Sequence, residues 1–239
     1  MIAVFGYSFP HRKTQDFLFQ LRALGIEEIV LIAAPWKKLK FSESVEYFNK
    51  NLDYAHELHP KSICTALNIK YLEIEHDNFF AIEDLVKFYN IKLGVISGAR
   101  IIKANVLNLF SDGIVNFHPG KLPDTSGLDA FYYTIKKGCV PGVTTHFINE
   151  LVDAGSLIEF IECRVKLENT PEHINHNLYT LQIRALQRFV NLMLSGRIVT
   201  TPIVRPNKNA PLKTSEKFEI LLNFNDWREK IYKIQCHNK

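Results

Sequence analysis

Cysteine is scarce in this chain. Cys64, Cys139, Cys163 and Cys236 lie far apart and form no CxxC pair, which removes a disulfide scaffold, a zinc knuckle and a dithiol redox centre from consideration. They suit reduced thiols in a cytoplasmic protein. Long hydrophobic runs are missing as well: "IVLIAAPW" over 29–36 is too short to span a bilayer. The opening "MIAVFGYSFPH" has no basic segment and no small-residue cleavage site, so neither a signal peptide nor a membrane partner is expected. Nor does the body carry an excess of one charge. Through residue 204 it holds 21 basic and 21 acidic residues, and the net +4 comes from eight basic against four acidic residues from Arg205 onward. A neutral body argues against a nucleic-acid partner.

What is present is an ordinary globular composition, 46% hydrophobic and 23% charged over 239 residues, enough to bury a core without staples. Apolar, β-branched runs alternate with helical patterns. "MIAVFG" reads as a strand, followed by a helix over 14–24 that stops at Gly25. "EIVLIAA" is a second strand, followed by a helix over 42–58. Next come "IKYLEI", the helix "IEDLVKFY", the strand "KLGVIS", the helix "KANVLNLF" and the strand "GIVNF". This alternation predicts an α/β fold with a mainly parallel sheet covered on both faces. After the helix "LDAFYYTIKKG" the pattern changes to two runs, "GVTTHFIN" and "SLIEFIECRVKL", joined by "ELVDAG"; these predict an edge β-hairpin. Thr170-Pro171-Glu172 opens a helix to about Ser195. "TPIVRPNKNAPLK" reads as a linker, and a last helix over 225–234 closes the chain. The division is therefore a core over 1–200 and a short C-terminal extension over 201–239.

Ligands of open α/β sheets bind beyond the carboxyl ends of the strands, and two strand ends here carry chemistry: "GARIIK" after "KLGVIS", and "NFHPGKLP" after "GIV". Asn116 and His118 stand two apart on an extended segment and so share a face. Asp153, in the turn "ELVDAG", can reach back to orient an imidazole. Taken alone, a histidine at a strand end is more often structural, and an Asp before Ala-Gly is usually a turn former. His56/His59 and His173/His176 have helical spacing but no accompanying acidic or cysteine pattern, so no metal is expected. Trp227 and Trp36 read as packing residues before base-stacking ones.

From about Val95 to Gly196 the chain resembles the formyltransferases that use 10-formyltetrahydrofolate. The resemblance is carried by "SGARIIK", "GIVNFHPGKLPDTSGLDA", "KKG…PGVTTHFI" and "ELVDAGSLI", in that order, and above all by N-x-H-P-x-x-L-P-x-x-x-G followed by H-F-I-N-E-L-V-D-A-G. It implies a Rossmann-like formyltransferase core and 10-formyltetrahydrofolate as formyl donor. Asn116, His118 and Asp153 match the family's catalytic set: an oxyanion donor, a proton-shuttling imidazole and its orienting carboxylate. Gly98, Ala99, Arg100, Ile101 and Ile102 match the segment that wraps the pterin, and Asn149, Glu150 and Leu151 the loop on its other side. The N-terminal half resembles the family only in its βαβ order.

Departures bear on which amine is formylated. The branch that formylates glycinamide ribonucleotide carries a Gly/Ser/Asn-rich phosphate loop after the first strand, where this chain reads "FGYSFPHRKT". The methionyl-tRNA branch adds a larger C-terminal domain, and the hydrolase branch an N-terminal one. Elimination favours the branch acting on nucleotide-linked amino deoxysugars, with a dTDP-4-amino-4,6-dideoxyhexose as the first acceptor to consider and a homodimer as the implied assembly. Arg12, Lys13 and Thr14, at a helix N-terminus after the first strand, are the expected contacts to the acceptor's diphosphate.

Overall fold

The computed structural model describes residues 1–37, 57–151, 153–204 and 209–237. Among them the chain runs β1 (Ile2–Tyr7), α1 (Arg12–Ala23), β2 (Ile29–Ala34), α2 (Pro60–Ala66), β3 (Lys70–Glu73), α3 (Phe79–Tyr89), β4 (Leu93–Ile96) and α4 (Ala104–Leu107). It continues through β5 (Gly113–His118), α5 (Ala130–Lys136), β6 (Gly142–Phe147), β7 (Ser156–Glu162), α6 (Pro171–Leu194), β8 (Thr201–Pro202), α7 (Thr214–Leu222) and α8 (Phe224–His237). One sheet has the order β3-β2-β1-β4-β5-β6-β7-β8. The first five strands are parallel and the last three antiparallel. The expected α/β class, mainly parallel sheet and edge hairpin (β6–β7) are all present, with the two-residue β8 laid outside the hairpin. No helix among the described residues is long and apolar enough to cross a membrane.

Strand period decides which helix each side chain meets. Val4, Leu31, Val95, Val115 and Phe117 face one side and pack with Phe17, Leu18 and Leu21 of α1 and Leu178 and Phe189 of α6. Ala3, Phe5, Val30, Ile32 and Ile114 face the other side, toward Ile82, Leu85 and Val86 of α3 and Val106 of α4. Phe117 is fully buried and meets the rings of Phe17 (5.4 Å) and Phe189 (6.1 Å) edge-on. A buried aromatic of this kind contributes roughly 1.5–3 kcal/mol, and here it anchors the strand whose alternate residues are Asn116 and His118.

Several element limits differ from the sequence expectation. Helix α1 starts at Arg12, not at residue 14, because the His11 ring caps it by accepting from the Thr14 N–H. The expected helix over 42–58 falls almost entirely outside the described residues, while α2 begins after it, with His59 as cap and Pro60 in its first turn. Within the expected linker, Thr201–Pro202 pairs with β7, and α7 follows, the Glu216 carboxylate of its first turn accepting the Lys213 N–H at 2.8 Å. Ile220, Phe224, Trp227 and Ile231 of α7 and α8 join the same apolar cluster as α6. Trp227 Nε1 donates to the Cys139 carbonyl at 3.1 Å.

Candidate active site

The chain leaves β1 toward β2 and β3 on one side and β4 toward β5 on the other, so the strand order reverses between β1 and β4. The carboxyl ends of these strands therefore open a crevice. Here Ser97 and Gly98 both donate their N–H to the Phe5 carbonyl, at 3.0 and 3.1 Å. Any side chain on Gly98 would collide with the rings of His11 and Tyr7. Beside it, β5 and β6 pair Asn116 with His146 and His118 with Thr144, which puts these four side chains on the α3–α4 face of the sheet.

The link from β6 to β7 folds back over that face. Asp153 sits in the left-handed region (φ 52°), and its Oδ1 lies 3.4 Å from His118 Nδ1, both side chains being nearly buried. Its Oδ2 accepts the Gly127 N–H. The other nitrogen of His118, Nε2, lies 2.8 Å from the Thr125 carbonyl. Both partners of the ring are acceptors, so the two contacts are satisfied together only when each nitrogen carries a hydrogen. Thr144 supports the loop between β5 and α5 from below: its Oγ1 donates to the Gly120 carbonyl (2.6 Å) and accepts from Leu122 N–H (3.1 Å). Gly120 is required there, since a methyl group would overlap Thr125 Oγ1 and press on His118 Nε2.

Sequence reasoning did not assign His146, the histidine of "TTHF". Burial, and secondarily the His118 charge, push its pKa down to about 4. The neutral ring has one N–H. Nδ1 lies 3.1 Å from the Ala154 carbonyl, which can only accept, so Nδ1 carries the hydrogen. Nε2 is then left to accept from Asn116 Nδ2 at 3.3 Å, which fixes the amide with its nitrogen toward His146. The signal available in sequence was the period of two across the β5–β6 register.

This has a consequence for stability. Unfolded, His146 takes up a proton near pH 6.5; folded, only near pH 4. Between those values the unfolded chain binds more protons, so stability is complete above pH 6.5 and lost as pH falls toward 4, by roughly 3 kcal/mol at most. Urea unfolding at pH 7, 5.5 and 4.5 should show a shallower loss in His146→Gln than in the native protein; identical slopes would contradict the buried neutral ring.

The remaining expected residues divide. Arg100 turns its guanidinium away to Glu75 and the Pro35 carbonyl, and its N–H reaches His76 Nδ1 at 3.4 Å. His76 is itself buried, held by the Ile32 carbonyl at 3.2 Å. Arg100 thus ties down the 98–102 segment. Ala99, Ile101 and Ile102 make no backbone hydrogen bond among the described residues, although Ile102 is buried. Asn149, Glu150 and Leu151 are exposed, with Asn149 Oδ1 accepting from the Leu151 N–H at 2.9 Å. Thr14 is fully buried, its hydroxyl between His11 Nδ1 (2.8 Å) and Ser97 Oγ (3.1 Å). Its side chain braces the crevice from within and has no exposed surface. Arg12 pairs with Asp16 at 3.1 Å, and Asp16 also takes the Tyr179 hydroxyl at 2.6 Å. Lys13 has no carboxylate within ion-pair distance among the described residues. Its ammonium lies 3.4 Å from the Phe117 carbonyl and over the Phe17 ring, and burial lowers its pKa to about 7. His173 closes the α6 capping box, and His56 lies outside the described residues. No group of three or more His, Cys, Asp or Glu among the described residues could hold a metal.

The family model for formyl transferases (Formyl_trans_N) matches residues 28–190, most of the chain and all of the site on β5, β6 and their loops. The chain belongs to the formyl transferase family. Among curated relatives of this formyl transferase family member, methionyl-tRNA formyltransferase of Buchnera aphidicola is 26% identical over 142 residues, covering 59% of this chain and 45% of that one. The chain spans about half or less of the length of the curated relatives it matches. Glycinamide ribonucleotide transformylase 1 of Symbiobacterium toebii shares the fold at TM-score 0.63 and 20% identity, over 86% of this chain and 94% of that one. An N-formyltransferase of Helicobacter canadensis, solved with folinic acid and dTDP-3-aminofucose, does so at TM-score 0.62 and 15% identity, over 94% and 80%.

Proposed function

We propose that the protein transfers the formyl group of 10-formyltetrahydrofolate to the amine of a nucleotide-linked amino deoxysugar. The observation that carries this reading is the convergence of Asn116, His118 and Asp153 from β5 and the β6–β7 link, with both ring nitrogens of His118 engaged. For the donor, the backbone groups of Ala99, Ile101 and Ile102, which make no backbone–backbone hydrogen bond among the described residues, suit the alternating donors and acceptors of a pterin edge. The exposed 149–151 loop supplies a second wall.

The chemistry makes a C–N bond between acceptor amine and formyl carbon and breaks the bond from that carbon to the folate nitrogen. The amine loses a proton and the folate nitrogen gains one. Asn116 keeps an N–H beyond the one given to His146, and donates it to the oxygen that becomes anionic as the amine adds. His118, held between the Thr125 carbonyl and Asp153, is the imidazole placed to shuttle a proton in this step. Asp153 holds the ring and offers a carboxylate oxygen to the proton leaving the amine.

For the acceptor, the support is Lys13. An enclosed ammonium with no carboxylate partner among the described residues, at the first turn of α1, is suited to a diphosphate. The "FGYSFPHRKT" segment lacks the glycine-rich phosphate loop that a ribonucleotide acceptor of the purine branch would use, and the Helicobacter canadensis protein of the same fold was solved with a dTDP-aminosugar.

The test offers dTDP-4-aminosugars, dTDP-3-aminosugars, glycinamide ribonucleotide and charged initiator tRNA separately with 10-formyltetrahydrofolate. Tetrahydrofolate release and the mass gain of one CO are followed. Turnover with an aminosugar alone is expected; turnover with the ribonucleotide or tRNA overturns the acceptor, and no turnover with any overturns the reading. Lys13→Glu is expected to raise the acceptor KM about tenfold or more, as for a lost charge-assisted hydrogen bond, with the folate KM unchanged. An unaltered acceptor KM would remove Lys13 from the site.

A further inference from the structure

The loop that holds the His118 ring is itself held from a distant part of the chain. Three successive carbonyls, of Asp124, Thr125 and Ser126, point alternately. The middle one meets His118 Nε2 at 2.8 Å. The outer two both meet Asn209 Nδ2, at 3.2 and 2.8 Å. Asn209 lies in the C-terminal extension, more than eighty residues away in sequence.

Further contacts bind the same two segments. Lys137 Nζ bridges the Asp124 carbonyl (2.5 Å) and Asn209 Oδ1 (2.8 Å), and the Tyr133 hydroxyl donates to the Ala210 carbonyl at 2.8 Å. Asp129, in the left-handed region (φ 62°) at the start of α5, accepts the Leu212 N–H at 2.9 Å and the ammonium of Lys217 at 2.6 Å. Lys217 and Asp129 are both nearly buried, so this end of the strap cannot shift without leaving charge unpaired.

We propose that Asn209 is a positioning residue for the His118 imidazole, and that the C-terminal extension is thereby part of the machinery of formyl transfer; this rests on the function proposed above. Peptide planes are rigid. With the Asp124 and Ser126 carbonyls both tied to one amide, the plane between them has little freedom, and the Thr125 carbonyl stays aimed at Nε2. The loop's own bonds include Thr125 N–H and Oγ1 to the Lys121 carbonyl, at 3.0 and 3.1 Å, and Ser126 N–H to that of Pro123 at 3.4 Å. Without Asn209 the Ser126 carbonyl loses this tie while the Asp124 carbonyl keeps Lys137 Nζ, so the peptide that aims the middle carbonyl is held less tightly. The ring would then lose one of its two orienting acceptors while Asp153 remained in place. Substrate-binding surfaces at 98–102 and 149–151 are untouched, so the cost falls on turnover and not on affinity.

Asn209→Asp is the discriminating variant, because it keeps the shape and the acceptor for Lys137 and puts a carboxylate oxygen, an acceptor, where the N–H donor faced the two carbonyls. Asn209→Ala accompanies it. Hydrogen exchange of the free protein is expected to show faster exchange over residues 124–127 in both variants, with α6 and the sheet as protected as in the native chain. With the accepted amino sugar, kcat is expected to fall about tenfold, as for one lost orienting hydrogen bond, with both KM values unchanged. Unaltered exchange over 124–127, or kcat within twofold of native in Asn209→Asp, would overturn the proposal. The exchange readout needs no acceptor, so it decides the strap even if every acceptor fails and the proposed activity falls.

Discussion

Truncating Asn116 to alanine is expected to lower kcat by about 10²–10³, the usual cost of removing one oxyanion donor. The side chain is half-buried on β5, flanked by Val115 and Phe117, which face the core and hold the strand in register. The variant therefore folds, with a stability loss of about 1–3 kcal/mol, because His146 Nε2 is left buried without its donor. Asn116→Asp separates the two effects. It is isosteric, yet it places carboxylate oxygens where both His146 Nε2 and the developing oxyanion need a donor, so its turnover should be no better than that of the alanine variant. Single-turnover rates with saturating donor and acceptor read the chemical step directly. Turnover near the native value in a folded Asn116→Ala protein would remove the amide from the reaction.

The parallel half of this molecule was legible because strand and helix periods are written plainly in "IAVFGY", "IVLIAA" and "LGVI", and the candidate site was legible through the family resemblance of N-x-H-P-x-x-L-P and L-V-D-A-G, strand period adding only that Asn116 and His118 share a face. Other features depend on neighbours that no local pattern names. Helix α7 lacks a Ser, Thr, Asp or Asn cap at its start and follows a Pro- and Asn-rich stretch; it forms because Ile220 enters the α6 cluster and Lys217 finds Asp129. The first helix reads in sequence as opening at Thr14, with no residue named as its cap. His11 took that place because its ring can accept from the Thr14 N–H while packing edge-on against Tyr7 at 5.0 Å. The resemblance puts Arg100 in the pterin-wrapping segment, and what no local pattern names is the anchor of its guanidinium: the carboxyl end of β2 brings the Pro35 carbonyl beside it, and Glu75 completes the clamp. His146 stood in a quoted motif without a role, because its role is a tautomer, set by a carbonyl eight residues further on.

Asp153→Asn is expected to cost on the order of 10²–10⁴ in kcat, the range for losing a positioned acid–base group, while leaving the fold almost unchanged. The backbone at Asp153 is left-handed, φ 52°, a conformation that asparagine tolerates as well as aspartate. Its Oδ1 can still accept the Gly127 N–H that Asp153 accepts now. What disappears is the negative charge 3.4 Å from His118 Nδ1 and the acceptor for the amine's proton. An amide nitrogen beside Nδ1 is a donor facing a donor, so the ring can no longer keep hydrogens on both nitrogens and both contacts satisfied. Asp153→Ala adds a second injury. It frees the Gly127 N–H and with it the tie between the β6–β7 link and the loop carrying Thr125, so the wall at 149–151 loosens as well. The two variants should therefore share the loss in kcat, and only the alanine variant should also show a raised KM for the folate donor. Native-like turnover by Asp153→Asn would sink the carboxylate's role, and equal folate KM values for the two variants would sink the tie through Gly127.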